Sequence, residues 1–331
     1  VNVVVCDDLA GVGPAVWDRL HRRSGLRSPF LTWAWQHAWL QAFASDRRFE
    51  AWCVEEGGEL VAVLPLVERG PGHWELLGGA EVSDYLDLLA VAGREAEAWR
   101  ALLHARATLA DIWELHAVPE ASPTVTDLPA LAPRAGLVAT PSIEERCPVL
   151  ELPATWPAYL DALKGKQRHE LTRKLRRLER EVPGACARRV STREEIERRM
   201  DEFLDLHRRS HAGKARFMDD RMERFFRHVA AALADRDLVR LWFLDAPEGP
   251  LAAFLALEWN GTVAVYNSGY RPDRAHLSPG VVLLGHMIRD AIARGKRRFD
   301  FLRGEERYKY EFGPRPEAVY RVVVAPGGGR A

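Results

Sequence analysis

A chain of 331 residues with 47% hydrophobic and 28% charged content carries enough apolar mass for a large core and for more than one domain. Its 47 basic and 47 acidic residues cancel, which argues against a general nucleic-acid or membrane-surface binder, because phosphate-driven association needs surplus positive charge. Cys6, Cys53, Cys147 and Cys186 are too scattered for a disulfide framework or a structural zinc site, and a reducing cytoplasm suits them.

The charge is uneven along the chain. Residues 1–150 hold 12 Arg, no Lys and 21 acids, whereas residues 151–331 hold 35 basic and 26 acidic residues. An anionic ligand is therefore expected in the second part. The opening VNVVVCDDLAGVG has neither the length nor the flanks of a signal peptide. No apolar run approaches the roughly twenty residues of a membrane span.

In chain order, SPFLTWAWQHAWLQAF (28–43) has apolar residues at helical spacing. Residues 49–79 then read as strand, Glu-Gly-Gly turn, strand, Gly-Pro-Gly turn, strand. A helix over 94–108 and a strand from Asp111 follow, and the Pro-rich segment 119–141 reads as loop. The boundary falls near CPVLELPATWPAYL (147–160), giving domains of 1–150 and 151–331.

The second part repeats the plan. A helix over 216–233 precedes strands over 238–270 joined by a Pro/Gly turn and an Asn-Gly hairpin, then a helix over 280–294 and the strand RRFDFL from Arg297. Trp52 aligns with Trp242 at an offset of 190 residues. A repeat this long is a duplicated domain and not a solenoid. The fold class is α/β of the α+β type, each copy a mixed, mainly antiparallel sheet flanked by helices.

Three stretches carry chemistry. KGKQRHELTRKLRRLERE (164–181) has eight Lys or Arg in eighteen positions. Drawn as a helix, it puts Leu171, Leu175, Leu178 and Val182 on one stripe and Lys166, Arg173, Arg177 and Arg180 on another, so one face is pinned to a core. SGYRPDRAHLSPGVVLL (268–284) ends a strand, passes Arg271 and Arg274, and opens a helix at Ser278-Pro279-Gly280-Val281. Ser is a preferred N-cap, Pro is tolerated at the first helical position, and free N–H groups at a helix start suit a phosphate. FDFLRGEERYK (299–309) places Asp300 opposite Phe299 and Phe301, then Arg303, Tyr308 and Lys309. A carboxylate, a phenol and an amine at a strand's end can bind a polar substrate or move a proton. In the first part SDYLDLL (83–89) holds the corresponding position, with Asp84 and Tyr85 as substrate-binding candidates. His207 and His211 stand one helical turn apart without a third ligand, so no metal is expected.

These motifs, in this order, resemble the cellulose-biosynthesis-associated (CelD-type) acetyltransferases of the GNAT superfamily, relatives of the Fem-type aminoacyl transferases. The resemblance implies tandem GNAT-like domains, the first without cofactor and the second binding acetyl-CoA or another acyl-CoA. It places the pyrophosphate at Arg271, Arg274, Ser278, Pro279, Gly280 and Val281. It implies direct N-acyl transfer in a ternary complex to an amine of a small-molecule or cell-envelope substrate. Asp300 and Glu258 are then candidate bases, Tyr308 and Tyr266 candidate acids, and Lys309 and Arg303 candidate substrate ligands. The alternatives are a Fem-like transferase using aminoacyl-tRNA and a non-catalytic GNAT-fold binding protein.

Overall fold

Two features recur in each copy of the fold, an antiparallel meander closed by tight hairpins and one parallel step. The computed structural model describes residues 1–106 and 110–327. It divides into two compact units, one of residues 1–145 with the C-terminal strand from Ala318, the other of residues 146–317. A single boundary at residue 150 would leave the last strand in the second domain. That strand departs from the expectation because its apolar residues pair inside the first unit.

The first unit contains β1 (Asn2–Cys6), β2 (Phe49–Glu56), β3 (Glu59–Gly70), β4 (His73–Leu76), β5 (Leu89–Ala90), β6 (Ile112–Pro119) and β7 (Leu137–Glu151), whose last residues belong to the second unit. β1, β2, β3 and β4 pair antiparallel in that order, and β6 joins β4 in parallel. The β2–β3 turn places Gly57 and Gly58 at φ 60° and 83°, the left-handed pair that a two-residue hairpin demands. The core is aromatic: Trp17, Trp35, Trp99 and Trp113 are fully buried. The helix expected over 94–108 forms from Glu95 to Arg106, and its last two positions lie outside the described residues. The segment expected as loop instead forms short helical turns at Pro123–Thr126, Leu128–Leu131 and Ala132–Ala135. Proline in a first turn lacks only an N–H that would be unpaired anyway, so it starts these turns and does not block them.

The second unit contains β8 (Cys186–Val190), β9 (Val239–Ala246), β10 (Gly249–Trp259), β11 (Thr262–Tyr270) and β12 (Arg298–Asp300); the chain's last strand, β13 (Arg315–Pro326), pairs with β6 in the first. β8, β9, β10 and β11 are antiparallel neighbours, β12 joins β11 in parallel, and β12 pairs antiparallel with Glu151, Leu150 and Val149. Asn260 and Gly261 at φ 46° and 77° form the β10–β11 hairpin.

The basic stretch is a helix from Gly165 to Glu181, and its apolar stripe behaves as its spacing requires. Leu171, Leu178 and Val182 are buried in one core with Leu283, Leu284 and Ile288 of the helix Pro279–Ala293. A methyl group added at Gly285 would meet Leu171 at 3.2 Å and Leu175 at 3.6 Å, so the two helices touch there. The basic stripe is largely paired on its own helix, Arg173 with Glu170 and Arg177 and Arg180 with Glu181. Arg177 also donates to the carbonyl of His276 at 3.0 Å, tying the helix to the turn before Ser278.

Candidate functional site

β11 and β12 stay together for only three residue pairs, Thr262 with Arg298, Val263 with Phe299 and Ala264 with Asp300. Beyond Asp300 the chain turns at Leu302, held at φ 54°, while β11 continues to Tyr270. The two strands therefore part. On the other edge of β11, Leu255 stands opposite Asn267 and Ala256 opposite Val265, so Tyr266 is an extra residue, a bulge. Residues 266, 267 and 268 are partly exposed, between buried residues 262–265 and buried Gly269.

The turn that leaves β11 leads to the helix Pro279–Ala293. Its start differs from the sequence expectation in one respect. Ser278 does not cap with its hydroxyl; it sits at φ 53° and ψ 49°, and its carbonyl accepts the N–H of Val282 at 3.1 Å. The N–H groups of Gly280 and Val281 thus have no partner within the helix and remain an uncapped positive end. A Cβ at Gly280 would meet nothing within 4 Å. Arg271 pairs with Asp273 at 2.6 Å, and Arg274 with Glu248 at 3.3 Å.

The acid–base candidates fall into different situations. Asp300 is buried at the parting point, and its Oδ1 accepts the N–H of Leu302 at 2.7 Å. Glu258 is 3% exposed and clamped by both terminal guanidinium nitrogens of Arg294 and by Lys296 Nζ, each at 2.8 Å. Burial pushes its carboxyl up, but the hydrogen bonds from Arg294 and Lys296 prevail and hold it at about 2. A carboxylate so held neither reaches an acceptor amine nor takes its proton, so Glu258 is an ion-pair centre, and the base role expected for it is not retained. Tyr266 stacks on Phe226, ring centroids 5.6 Å apart. Tyr308 is 40% exposed; desolvation, and then Glu306, push its phenol up.

Lys309 is also redirected by its partners. Its Nζ donates to the carbonyls of Arg303 at 2.7 Å and Gly304 at 3.0 Å and pairs with Glu306 at 2.8 Å. It fastens the turn after β12 and is 4% exposed, so its protons are engaged within that turn. Arg303 contributes a backbone carbonyl to that clamp. Asp84 and Tyr85 belong to the first unit and are 8% exposed each, with the Tyr85 carbonyl accepting from Ser28 Oγ at 3.3 Å.

Four residues at the exposed part of β11 escape the sequence-based expectations. His207, in the helix Arg193–Ser210, is 1% exposed and its Nε2 donates to Asn267 Oδ1 at 3.0 Å. Burial, and then the nearby Lys214, lower its imidazole to about 4, so it is neutral. Lys214 Nζ donates to the Ser268 carbonyl at 2.5 Å and to its hydroxyl at 3.2 Å. Burial lowers this amine to about 8 despite the opposing charge of Glu306. In the sequence this cluster is touched by the spacing of His207 and His211 and by Ser268, where the motif SGYRPDRAHLSPGVVLL begins. The two do not converge, since His211 Nδ1 caps the next helix through the N–H of Gly213.

Fold and site together define a mixed α/β chain of mainly antiparallel strands flanked by helices. Residues 165–310 match the family model described as acetyltransferase (GNAT) domain. Solved structures superpose on nearly the whole chain. The C-terminal DUF2156 domain of a putative lysylphosphatidylglycerol synthetase from Agrobacterium fabrum does so at TM-score 0.62 and 13% identity, over 97% of this chain and 93% of that one. A conserved protein of unknown function from Bacteroides thetaiotaomicron VPI-5482 does so at 0.64 and 12%, over 98% and 100%. FemX follows at 0.63 and 10%, over 97% of each. At these identities the likeness establishes the fold. Among proteins with curated descriptions, none matches the sequence. Among the described residues, no helix is long and apolar enough to cross a membrane.

Proposed function

We propose that the chain is an acyl-CoA-dependent N-acyltransferase whose active site lies in the second unit where β11 and β12 part. The observation that carries this reading is that parting, with a bulge at Tyr266 on one side and an uncapped helix start on the other. The match of residues 165–310 to the acetyltransferase domain supports it. The order of the three motifs favours the cellulose-biosynthesis-associated branch as the finer assignment.

The turn fits a pyrophosphate. The Gly280 and Val281 N–H groups are unpaired in the helix, the space over Gly280 is open, and Arg271 and Arg274 flank the approach with carboxylates they can exchange. An acyl-CoA held there supplies an activated thioester carbonyl. The chain's own residues do the rest. A backbone N–H at the bulge of β11 is the candidate oxyanion donor. Asp300, a carboxylate at the end of β12, takes the proton of the acceptor amine directly or through water, and Tyr308 returns one to the leaving group.

Gly280→Asp separates this reading from its rivals. Acetyl-CoA at a hundredfold its dissociation constant is expected to stabilise the wild-type chain by about 2.7 kcal/mol in a thermal-shift titration. The variant, whose new side chain meets no protein atom at Cβ, keeps its unliganded melting temperature and loses that response. Asp300→Asn is expected to lower kcat by about 100-fold with KM for acetyl-CoA unchanged, measured by thiol release.

The second reading is aminoacyl transfer. It draws on the superposition with FemX and with the lysylphosphatidylglycerol synthetase domain. Stabilisation by aminoacyl-tRNA or a nucleotide-sugar diphosphate, with none by acetyl-CoA, would favour it.

A further inference from the structure

Inward-facing cations of the second unit have carboxylate partners. Arg199 pairs with Asp245 at 2.6 Å, Arg240 with Asp237 at 2.6 Å, Arg294 and Lys296 with Glu258 at 2.8 Å, and Lys309 with Glu306 at 2.8 Å. Lys214 breaks this pattern. Its hydrogen-bond acceptors are neutral, the carbonyl and hydroxyl of Ser268, and the influence of opposite sign comes from Glu306 at longer range. Removing an ammonium from water without a counter-ion is costly, and groups perturbed in this way cluster at functional sites.

The position of this cation is as informative as its state. Ser268 lies four residues past Ala264, the last residue of β11 that β12 covers, so the ammonium stands where the strand has lost its neighbour. Tyr266 on Phe226, and Phe217 edge-on to Phe226 at 6.3 Å, give the surroundings an apolar surface. His207 Nδ1 in the same cluster is buried without a partner.

The duplicated unit shows what a closed version of this place looks like. Asn267 stands opposite Leu255, and 190 residues earlier the Leu77 N–H bonds to the Pro65 carbonyl, so Ser268 corresponds to Gly78. The Gly78 carbonyl is taken by the neutral hydroxyl of Ser83 at 2.7 Å. A Cβ at Gly78 would meet Leu86 at 2.9 Å and Gln36 at 3.0 Å, and the Leu86 N–H bonds to the Ala117 carbonyl of β6. The SDYLDLL segment thus fills the gap beside β6. In the second unit the same strand position presents a charged, half-buried amine.

We infer that Lys214 recognises an anionic group of the acyl acceptor, so the substrate class is an amine that also carries a carboxylate, as an amino acid does. This rests on the N-acyl-transfer reading for the reaction but on Lys214 alone for the acid. The ammonium has a third proton beyond the two given to Ser268, and a carboxylate there gains a charge-assisted hydrogen bond in a partly desolvated place. The acceptor's amine then lies toward the parting of β11 and β12, where Asp300 ends its strand.

The test uses the full chain without cofactor. The twenty N-acetyl amino acids, as product mimics, and their C-terminal amides are titrated in thermal shift and calorimetry against wild type, Lys214→Met and Lys214→Arg. At least one acid is expected to bind the wild type, its amide at least ~30-fold more weakly. Lys214→Met is expected to weaken the acid about 30-fold and leave the amide unchanged, with Lys214→Arg intermediate. Equal binding of acid and amide, equal weakening of both by Lys214→Met, or no binding of any acid overturns the proposal. A bound acid in a chain that acetyl-CoA fails to stabilise would leave Lys214 in its role and sink the acyl-CoA reading instead. If Lys214→Met lowers the unliganded melting temperature, the acid-to-amide ratio of Lys214→Arg decides.

Discussion

Replacing Gly269 by alanine is expected to destabilise the second unit by about 3 kcal/mol or more, although the change adds one methyl group. A Cβ at this position would come within 2.3 Å of the His207 nitrogen and the Leu206 carbonyl carbon and within 2.6 Å of the His207 Cα. All three are backbone atoms of the helix Arg193–Ser210, which cannot yield as a side-chain tip can. Relief requires the helix to move away from β11, and His207, Asn267 and Ser268 lie on that seam. Urea denaturation measures the loss, and Gly280→Ala is the control. Nothing lies within 4 Å of that Cβ, so a change within about 0.5 kcal/mol is expected there. A Gly269→Ala chain as stable as wild type would show that helix and strand are not in contact as described.

Glu258→Gln is expected to cost about 3 kcal/mol, because it keeps the shape of the side chain and leaves Lys296 and the guanidinium of Arg294 without their buried carboxylate. The pH dependence follows from the same contacts. The folded carboxyl is held at about 2 against an ordinary value of 4.5, so the unfolded chain binds the proton more readily. Its contribution is therefore complete above about pH 4.5 and is lost as pH falls from there toward 2. Each tenfold difference in proton affinity between the unfolded and folded carboxyl is worth about 1.4 kcal/mol. Denaturation curves between pH 2 and 6 should show an acid limb in wild type that is shallower in Glu258→Gln. If Glu258 were the general base, the substitution would instead abolish turnover and leave stability intact.

The duplicated plan is legible in the sequence because it is written in local signals. Alternating apolar runs, an Asn-Gly pair and a Gly-Gly pair set hairpins whose geometry depends on a few neighbouring residues. The stripe of Leu171, Leu175, Leu178 and Val182 predicts a helix fixed by one face, and the core contains that face. The helix start at 279 is legible too, from Pro and Gly at the right offsets. Its cap is not, since Ser278 adopts a left-handed backbone that no residue pattern near it announces.

The partners of charged groups lie beyond sequence reasoning. Glu258 and Arg294 are 36 residues apart in the chain and 2.8 Å apart in space, and that distance turns a candidate base into an ion-pair centre. Lys309 has the sequence setting of a substrate ligand and is instead bonded to the turn it belongs to. Lys214 is one of six lysines in the sequence, and only its place beside Ser268 sets it apart. Strand and helix periods, hairpins and the repeat follow from the residue order alone, since all are fixed by interactions within a few positions. Where β12 leaves β11, which carboxylates are neutralised and which amine is not are settled only in three dimensions, because they depend on long-range pairing and on burial that no local pattern encodes.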